Sequence, residues 1–303
     1  MMRENKMSEG PRRPHDPRRF VTTFQHAAEF SVVLVGTGCP EYNPQRSGPS
    51  ALIQAHGQYF LVDMGNGTQV RLIEAGIAFH DIETMIFTHH HLDHNEEYLP
   101  IAVLAWLQGR RHANLVGPPK TRALHDFLLS FYKKDLEYRA RLTGSSLDGM
   151  FTNVKITELE GDNELEINGV RITTTEVPHT AYTLAYRFDA GGRSIVISGD
   201  LSYSDDLVQL AQDADVLVMD SGGVIKKGRG PRRPPPVKMG DGFVRAHGTL
   251  QEVATMAAKA NVKKMALTHF TPGEIDIEGN LREMGKIYSG EIIFGEDLME
   301  DTP

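Results

Sequence analysis

Cysteine is nearly absent from this chain of 303 residues: Cys39 stands alone. A lone thiol excludes an internal disulfide framework and points to a reducing compartment, so a cytoplasmic location is expected. It also cannot build a thiolate metal site, so any metal must be held by histidine and carboxylate. No apolar run approaches the ~18 residues that suggest a membrane span, and no membrane contact is expected. The opening MMRENKMSEGPRRPHDPRRF lacks the apolar stretch of a secretory signal. Residues 1–29 are therefore expected to be a disordered leader, ahead of one domain over 30–303. An excess of positive charge is missing too. The formal net charge is −8, which argues against a protein that coats nucleic acid wholesale. Residues 226–240, KKGRGPRRPPPVKMG, are the local exception.

What is present is a globular α/β pattern. Hydrophobic residues make up 40% of the chain, enough for a sizeable core. Segments 31–35, 51–54, 58–62, 84–88 and 114–116 predict strands, with a hairpin turn at Ala55-His56-Gly57. Segments 69–75, 98–107 and 121–142 predict helices. The second half repeats the mixture. Strands are expected near 153–158, 164–167, 170–177, 183–188, 194–198, 216–219 and 264–267, with 291–294 as the last. Helices are expected over 205–212 and 250–260. Two runs of strands interleaved with helices predict two packed sheets with helices outside. The apolar helix over 98–107 offers a surface for a homodimer.

The chemistry concentrates at Thr88-His89-His90-His91-Leu92-Asp93-His94, an H-x-H-x-D-H cluster behind the apolar run Met85-Ile86-Phe87. Crowded imidazoles and a carboxylate are ligands for a borderline cation such as Zn²⁺. In an extended segment side chains alternate, so His89 and His91 point one way. Asp93 and His94 follow a turn and can serve a second position. Farther along, His179, Asp200 and His269 each sit at a strand end, where open α/β sheets place their chemistry. A first cation is expected on His89, His91 and His179, and a second on Asp93, His94 and His269. Asp200 can bridge them. Two zinc ions per chain are expected, and Mn²⁺ or Fe²⁺ suit the same ligands. Such a pair makes hydroxide available near neutral pH.

With these residues in place the chain resembles the metallo-β-lactamase superfamily over residues 30–296, and within it the ribonuclease Z branch. The resemblance rests on Val35-Gly36-Thr37-Gly38, Val62-Asp63-Met64-Gly65-Asn66-Gly67-Thr68-Gln69, the H-x-H-x-D-H cluster, His247-Gly248-Thr249 and Leu267-Thr268-His269-Phe270. It implies an αββα four-layer sandwich with a dinuclear site at one sheet edge. It further implies that Asp93 is both a ligand and a base toward the nucleophilic water, and that His247 donates a proton to the leaving oxygen. A histidine titrates near working pH and suits that role; a contact to the following helix is the other reading of His247. Asp63 either supports the site by hydrogen bonds or caps the helix over 69–75. Asp220 ends a strand and can orient His247, which spacing does not decide. One departure stands out. Transfer-RNA-processing members carry a long flexible arm between the motifs matching His179 and Asp200. Here twenty residues separate the two, filled by two predicted strands. That weighs against precursor-tRNA cleavage and leaves the metal chemistry intact.

The function expected first is hydrolysis of a phosphodiester or related anionic ester, of a nucleic acid or a small molecule, by metal-bound hydroxide. A second reading is a lactone, carboxyl or aryl ester, or amide hydrolase, with an apolar slot lined from 98–106 and 121–142. A third is a non-catalytic metal-binding protein on the same scaffold. The basic segment 226–240 is read as phosphate contacts, as a lid over a small anion, or as a solvated insertion.

Overall fold

A computed structural model describes residues 29–228 and 245–303. Residues 1–28 of the expected leader and 229–240 of the basic segment lie outside the described residues. The first half builds one sheet from β1 (Phe30–Gly36), β2 (Ser50–Ala55), β3 (Gln58–Val62), β4 (Thr84–Ile86), β5 (Ala113–Gly117) and β6 (Val154–Glu158). Its helices are α1 (Thr68–Glu74), α2 (Tyr98–Leu107) and α3 (Thr121–Thr143). The second half builds a second sheet from β7 (Asn163–Ile167), β8 (Val170–Val177), β9 (Thr183–Ala190), β10 (Arg193–Ile197), β11 (Val216–Asp220), β12 (Lys264–Thr268) and β13 (Glu291–Phe294). Helices α4 (Asp205–Leu210), α5 (Leu250–Lys259) and α6 (Ile277–Met284) accompany it. A last strand, β14 (Met299–Asp301), returns to the first sheet and pairs antiparallel with β1, Val32 opposite Asp301. Each sheet thus has seven strands, in the orders β14-β1-β2-β3-β4-β5-β6 and β13-β12-β11-β10-β9-β8-β7.

Burial on both faces explains why β1 shows no polar alternation: all seven of its residues are buried. Val32 and Leu34 enter the layer between the sheets, with Phe60, Tyr186, Phe188 and Ile195. Val33 and Val35 face the other way, toward the helices of the first half. A third apolar cluster joins the second sheet to α4–α6. Helix, sheet, sheet and helix stack in the four layers expected.

Two elements differ from the expectation. The strand at 291–294 is not the last, because β14 follows it. Met-Glu-Asp has weak strand propensity and succeeds as an edge strand through its pairing with β1. Helix α6 was also not legible as a periodic run, although Asp276 caps it by accepting from Gly279 N at 3.0 Å. Helix α2 gives about half of its residues to the core of its own chain. Tyr98, Ile101, Ala102, Ala105 and Trp106 are buried, sharing a core with Leu129, Leu136 and Ala140 of α3. The rest of the helix is covered less: Leu99, Val103 and Leu104 are partly buried and Leu107 is 40% exposed.

The parallel strands set up the site. β3, β4, β5 and β6 run parallel, as do β10, β11, β12 and β13. Asp63 follows β3, the histidine cluster follows β4, Asp200 follows β10, Asp220 ends β11 and His269 follows β12. The two sheets are pinned together at this edge, where Leu184 N of β9 donates to Thr88 O at 2.9 Å and Tyr186 Oη donates to Phe87 O at 2.8 Å.

Candidate metal centre

The H-x-H-x-D-H segment leaves β4 in extended form and then turns through a short 3₁₀ helix, Leu92–His94. His89 and His91 therefore stay together, and Asp93 and His94 are carried onward. His89 Nε2 lies 3.0 Å from His91 Nδ1, and His179 Nε2 lies 3.2 Å from that same His91 nitrogen. On the other side His269 Nε2 lies 3.5 Å from Asp93 Oδ2, and His94 Nε2 lies 3.6 Å from it. Asp200 stands between the groups. Its Oδ2 is 3.2 Å from His269 Nε2, 3.5 Å from His94 Nε2, 3.8 Å from His179 Nε2 and 4.0 Å from His89 Nε2. The structure thus brings together all seven residues singled out in the sequence. Four overlapping groups of three converge: His89/His91/His179, Asp93/His94/His269, His89/His94/Asp200 and Asp200/His247/His269. Gly199 admits this approach. Its φ is +62°, and a Cβ there would meet Thr183 Cγ2 at 2.9 Å.

Hydrogen bonds on the outside of the cluster decide which nitrogens face in. His94 Nδ1 meets Asp63 Oδ2 at 2.8 Å, and His179 Nδ1 meets Ala246 O at 2.7 Å. Both acceptors oblige Nδ1 to carry the proton, which leaves Nε2 pointing inward. Thr88 Oγ1 donates to Asp63 Oδ2 at 2.7 Å and accepts from His89 Nδ1 at 3.0 Å, with the same result for His89. Thr88 N also donates to Asp63 Oδ1 at 2.8 Å. Asp63 therefore supports the site rather than capping α1. Glu97 has that second task, accepting from Gly67 N and Gln69 N, both at 2.8 Å. Sequence reading missed the roles of Thr88 and Glu97. A hydroxyl residue directly before the first histidine was the available signal for Thr88; nothing local marked Glu97. Outer hydrogen bonds of this kind fix ligand orientation, and losing one costs about 10–100-fold in metal affinity. Asp63→Ala is accordingly expected to weaken metal binding by that factor in competition with a chelator. Unchanged affinity would show that Asp63 only braces the turn.

Protons reveal how strained the cluster is on its own. Burial, then the neighbouring His94, push His89 well below the usual imidazole range. Burial opposes a proton on His94 too, yet Asp200 and Asp63 hold it well above that range. His179 falls, mainly through burial. Against their burial, Asp200 is held well below the usual carboxylate range by His269 and His94, and Asp93 is lowered by the same two histidines. Against its burial, His269 is raised as well, by Asp200 and Asp93. His94 Nε2, His269 Nε2 and Asp93 Oδ2 are buried without any hydrogen-bond partner. Buried polar atoms are rarely left so. Three such atoms converging where carboxylates hold His94 and His269 toward their protonated forms fit a cation, which takes the place of protons at such ligands.

His247 stands at the rim, its side chain 30% exposed. Its Nδ1 meets Asp220 Oδ2 at 2.7 Å, and its ring centre lies 5.1 Å from that of His269. Asp220 is itself fixed by Gly222 N at 2.9 Å and Leu201 N at 3.3 Å. The pairing that spacing left open is present. Thr249, not His247, caps α5 in a capping box with Glu252.

Of the basic segment, Lys226 and Lys227 are described. Lys226 Nζ donates to Thr271 O at 2.7 Å, and Lys227 is paired with Glu274. The interval between His179 and Asp200 holds only the hairpin of β9 and β10, joined through Gly191 and Gly192. No arm is inserted there.

A family model described as the beta-lactamase superfamily domain matches residues 59–270. Ribonuclease Z of Mycobacterium marinum is 30% identical over 277 residues, covering 89% of this chain and 97% of that protein. Among solved structures, the metallo-beta-lactamase fold protein YhfI from Bacillus subtilis superposes with a TM-score of 0.70 at 18% identity, over 90% of this chain and 98% of the other. The short form of human tRNase Z gives 0.65 at 20% identity, over 90% and 98%. The last two likenesses speak for the fold; the first two carry the descent. On that ground the chain belongs to the metallo-β-lactamase superfamily, in its ribonuclease Z-like branch, and is a metal-dependent hydrolase.

Proposed function

We propose that this protein hydrolyses phosphodiesters or related anionic esters, using two zinc ions held by His89, His91 and His179, and by Asp93, His94 and His269, with Asp200 shared. When bound, the cations supply a nucleophile near neutral pH and stabilise charge that develops on the substrate. The chain's own groups supply the rest. Asp93 accepts a proton from the attacking water. Asp220 holds the proton on His247 Nδ1, so that Nε2 is the atom that delivers a proton to the leaving oxygen. One hydrolase domain over 30–303 carries the site, and the lone, buried Cys39 fits a cytoplasmic setting.

The observation that carries this reading is the His247–Asp220 pair beside His269. A leaving alkoxide needs a proton, and a histidine oriented by a buried carboxylate is a donor suited to it. The names of the relatives point the same way, being ribonuclease Z and tRNase Z. The missing arm directs the reading toward substrates that need no such grip. The lactone or ester reading draws less on α2, whose Tyr98, Ile101, Ala102, Ala105 and Trp106 are buried in the core, and keeps the exposed apolar residues of 121–142, such as Phe127 and Phe131, as its support. The third reading, a non-catalytic protein, fits poorly with a complete set of inward-facing donors.

A substrate panel on zinc-loaded protein tests the proposal. Bis-p-nitrophenyl phosphate should turn over with a higher kcat/KM than p-nitrophenyl acetate or a homoserine lactone. Faster turnover of the lactone would replace this reading with the second. Replacing Arg229, Arg232, Arg233 and Lys238 by serine then asks whether RNA is bound. A phosphate-contacting segment should lose affinity and flatten its salt dependence.

A further inference from the structure

We infer that Asp297 is a positioning residue for the metal centre, acting through Thr37 on His269 and so on the second cation position alone. The inference rests on the two-cation reading above. Of the seven clustered residues, only His269 has a left-handed backbone, with φ of +61°. A residue that carries a Cβ stays there only where its surroundings over-determine it. Two bonds flank it: Ser221 Oγ donates to His269 O at 3.1 Å, and Phe270 N donates to Thr37 O at 2.8 Å. The second bond brings in Val35-Gly36-Thr37-Gly38, a motif that takes no direct part in the cluster.

The direction of Thr37 O is set by what holds the rest of Thr37. Asp297 Oδ1 accepts from Thr37 N at 3.0 Å and from Thr37 Oγ1 at 2.8 Å. Its Oδ2 accepts from Ser47 N at 2.6 Å and from Arg71 Nε of α1 at 3.0 Å. The side chain of Asp297 is only 6% exposed, so these donors are what keep its charge satisfied. Ser47 O accepts in turn from Gly38 N at 2.7 Å, which fixes the turn on the other side of Thr37. Arg46 closes the arrangement. Its guanidinium donates to Thr37 Oγ1 at 2.5 Å and to Gly295 O at 2.6 Å, and it lies 4.6 Å from the centre of the buried Phe270 ring. The segments meet closely: a Cβ on Gly36 would stand 1.9 Å from Gly48 O.

These connections make the effect selective. His89, His94 and His179 are oriented by Thr88, Asp63 and Ala246 O, through bonds that do not run through Asp297. Without Asp297 the Thr37 peptide is free to turn, and Phe270 N loses its aligned acceptor. His269 then relaxes toward right-handed or extended backbone. Its Nε2 leaves Asp93 and Asp200, which stand 3.5 and 3.2 Å away, while His89, His91 and His179 stay as they are. No spacing marks the tie, because Asp297 lies 260 positions beyond Thr37.

Chelator competition on the zinc-loaded full chain tests the inference. Wild type should hold two ions. Asp297→Ala should weaken one of them about 10–100-fold, the scale for a lost outer support, and leave the other at its wild-type affinity. His269→Ala identifies the ion, since it should weaken the same one. Combining the two changes should weaken that ion no further, because Asp297 acts only through His269; a brace for the whole fold would add its own loss. Thr37→Val keeps the volume and removes only the hydroxyl link, so a smaller loss at the same ion is expected. It carries the test if Asp297→Ala does not fold by circular dichroism. Equal weakening of both ions, additive losses in the double variant, or wild-type affinities in both Asp297→Ala and Thr37→Val would overturn the inference. A wild type that holds fewer than two ions would overturn the two-cation reading itself, before any variant is made.

Discussion

His247→Ala should lower kcat for a diester with an alkyl leaving group by about 10²–10⁴-fold, the range for one positioned proton donor, with KM little changed. The selectivity of the loss matters more than its size. An alkoxide is too basic to depart unprotonated, so the barrier carries the whole deficit. A p-nitrophenolate leaves readily without help, so the same variant should lose far less on bis-p-nitrophenyl phosphate. The metal content should not change, because neither proposed ligand set, His89/His91/His179 or Asp93/His94/His269, includes His247; a loss of metal would instead assign His247 to the group it forms with Asp200 and His269. The structure supports this separation: His247 is held by Asp220 at 2.7 Å, and Asp220 is held in turn by backbone N–H groups rather than by any of the seven clustered residues. An equal loss on both leaving groups would falsify the proton-donor assignment and leave His247 a binding or positioning residue.

Much of this arrangement is legible in the amino-acid sequence, for a physical reason. Strands buried on both faces, such as β1, announce themselves as unbroken apolar runs. A residue that follows such a run lies at a sheet edge by necessity. That placed the cluster after β4, Asp200 after β10 and His269 after β12. What the sequence hid are contacts between segments far apart in the chain. Thr88, Asp63 and His94 form one hydrogen-bonded unit across 31 positions, and Glu97 caps a helix that begins 29 residues before it. Neither relation has a spacing signature, because the chain between the partners is free to vary. The strand β14 was hidden for a similar reason, since its stability comes from pairing with β1 across the length of the protein. Helix α2 shows the converse. Its apolar character was plain, yet whether another chain or its own core covered it depended on where α3 packs.

Asp200→Ala is expected to do more damage than any other single change at the cluster. One oxygen lies within 4.0 Å of four imidazole nitrogens, so its removal strips a ligand from both proposed cation positions at once. Loss of an outer hydrogen bond costs about 10–100-fold in metal affinity or activity; loss of a shared ligand should exceed the upper figure. Bound zinc should fall from near two equivalents to one or fewer. Stability reports the same event without any substrate. A ligand that binds only the folded state stabilises it by about 2.7 kcal/mol at 100 times its Kd and about 4.1 kcal/mol at 1,000 times. Adding zinc to metal-free wild-type protein should raise the denaturant midpoint accordingly, and the same addition to the variant should raise it little. Asp200→Asn separates charge from shape. It keeps the volume and one oxygen, so a zinc response as small as that of Asp200→Ala is expected if the carboxylate charge matters most, and a near wild-type response if geometry does. A variant lacking the carboxylate that still held two ions and showed the full midpoint shift would place the cations away from Asp200, and the shared-ligand arrangement would have to be abandoned.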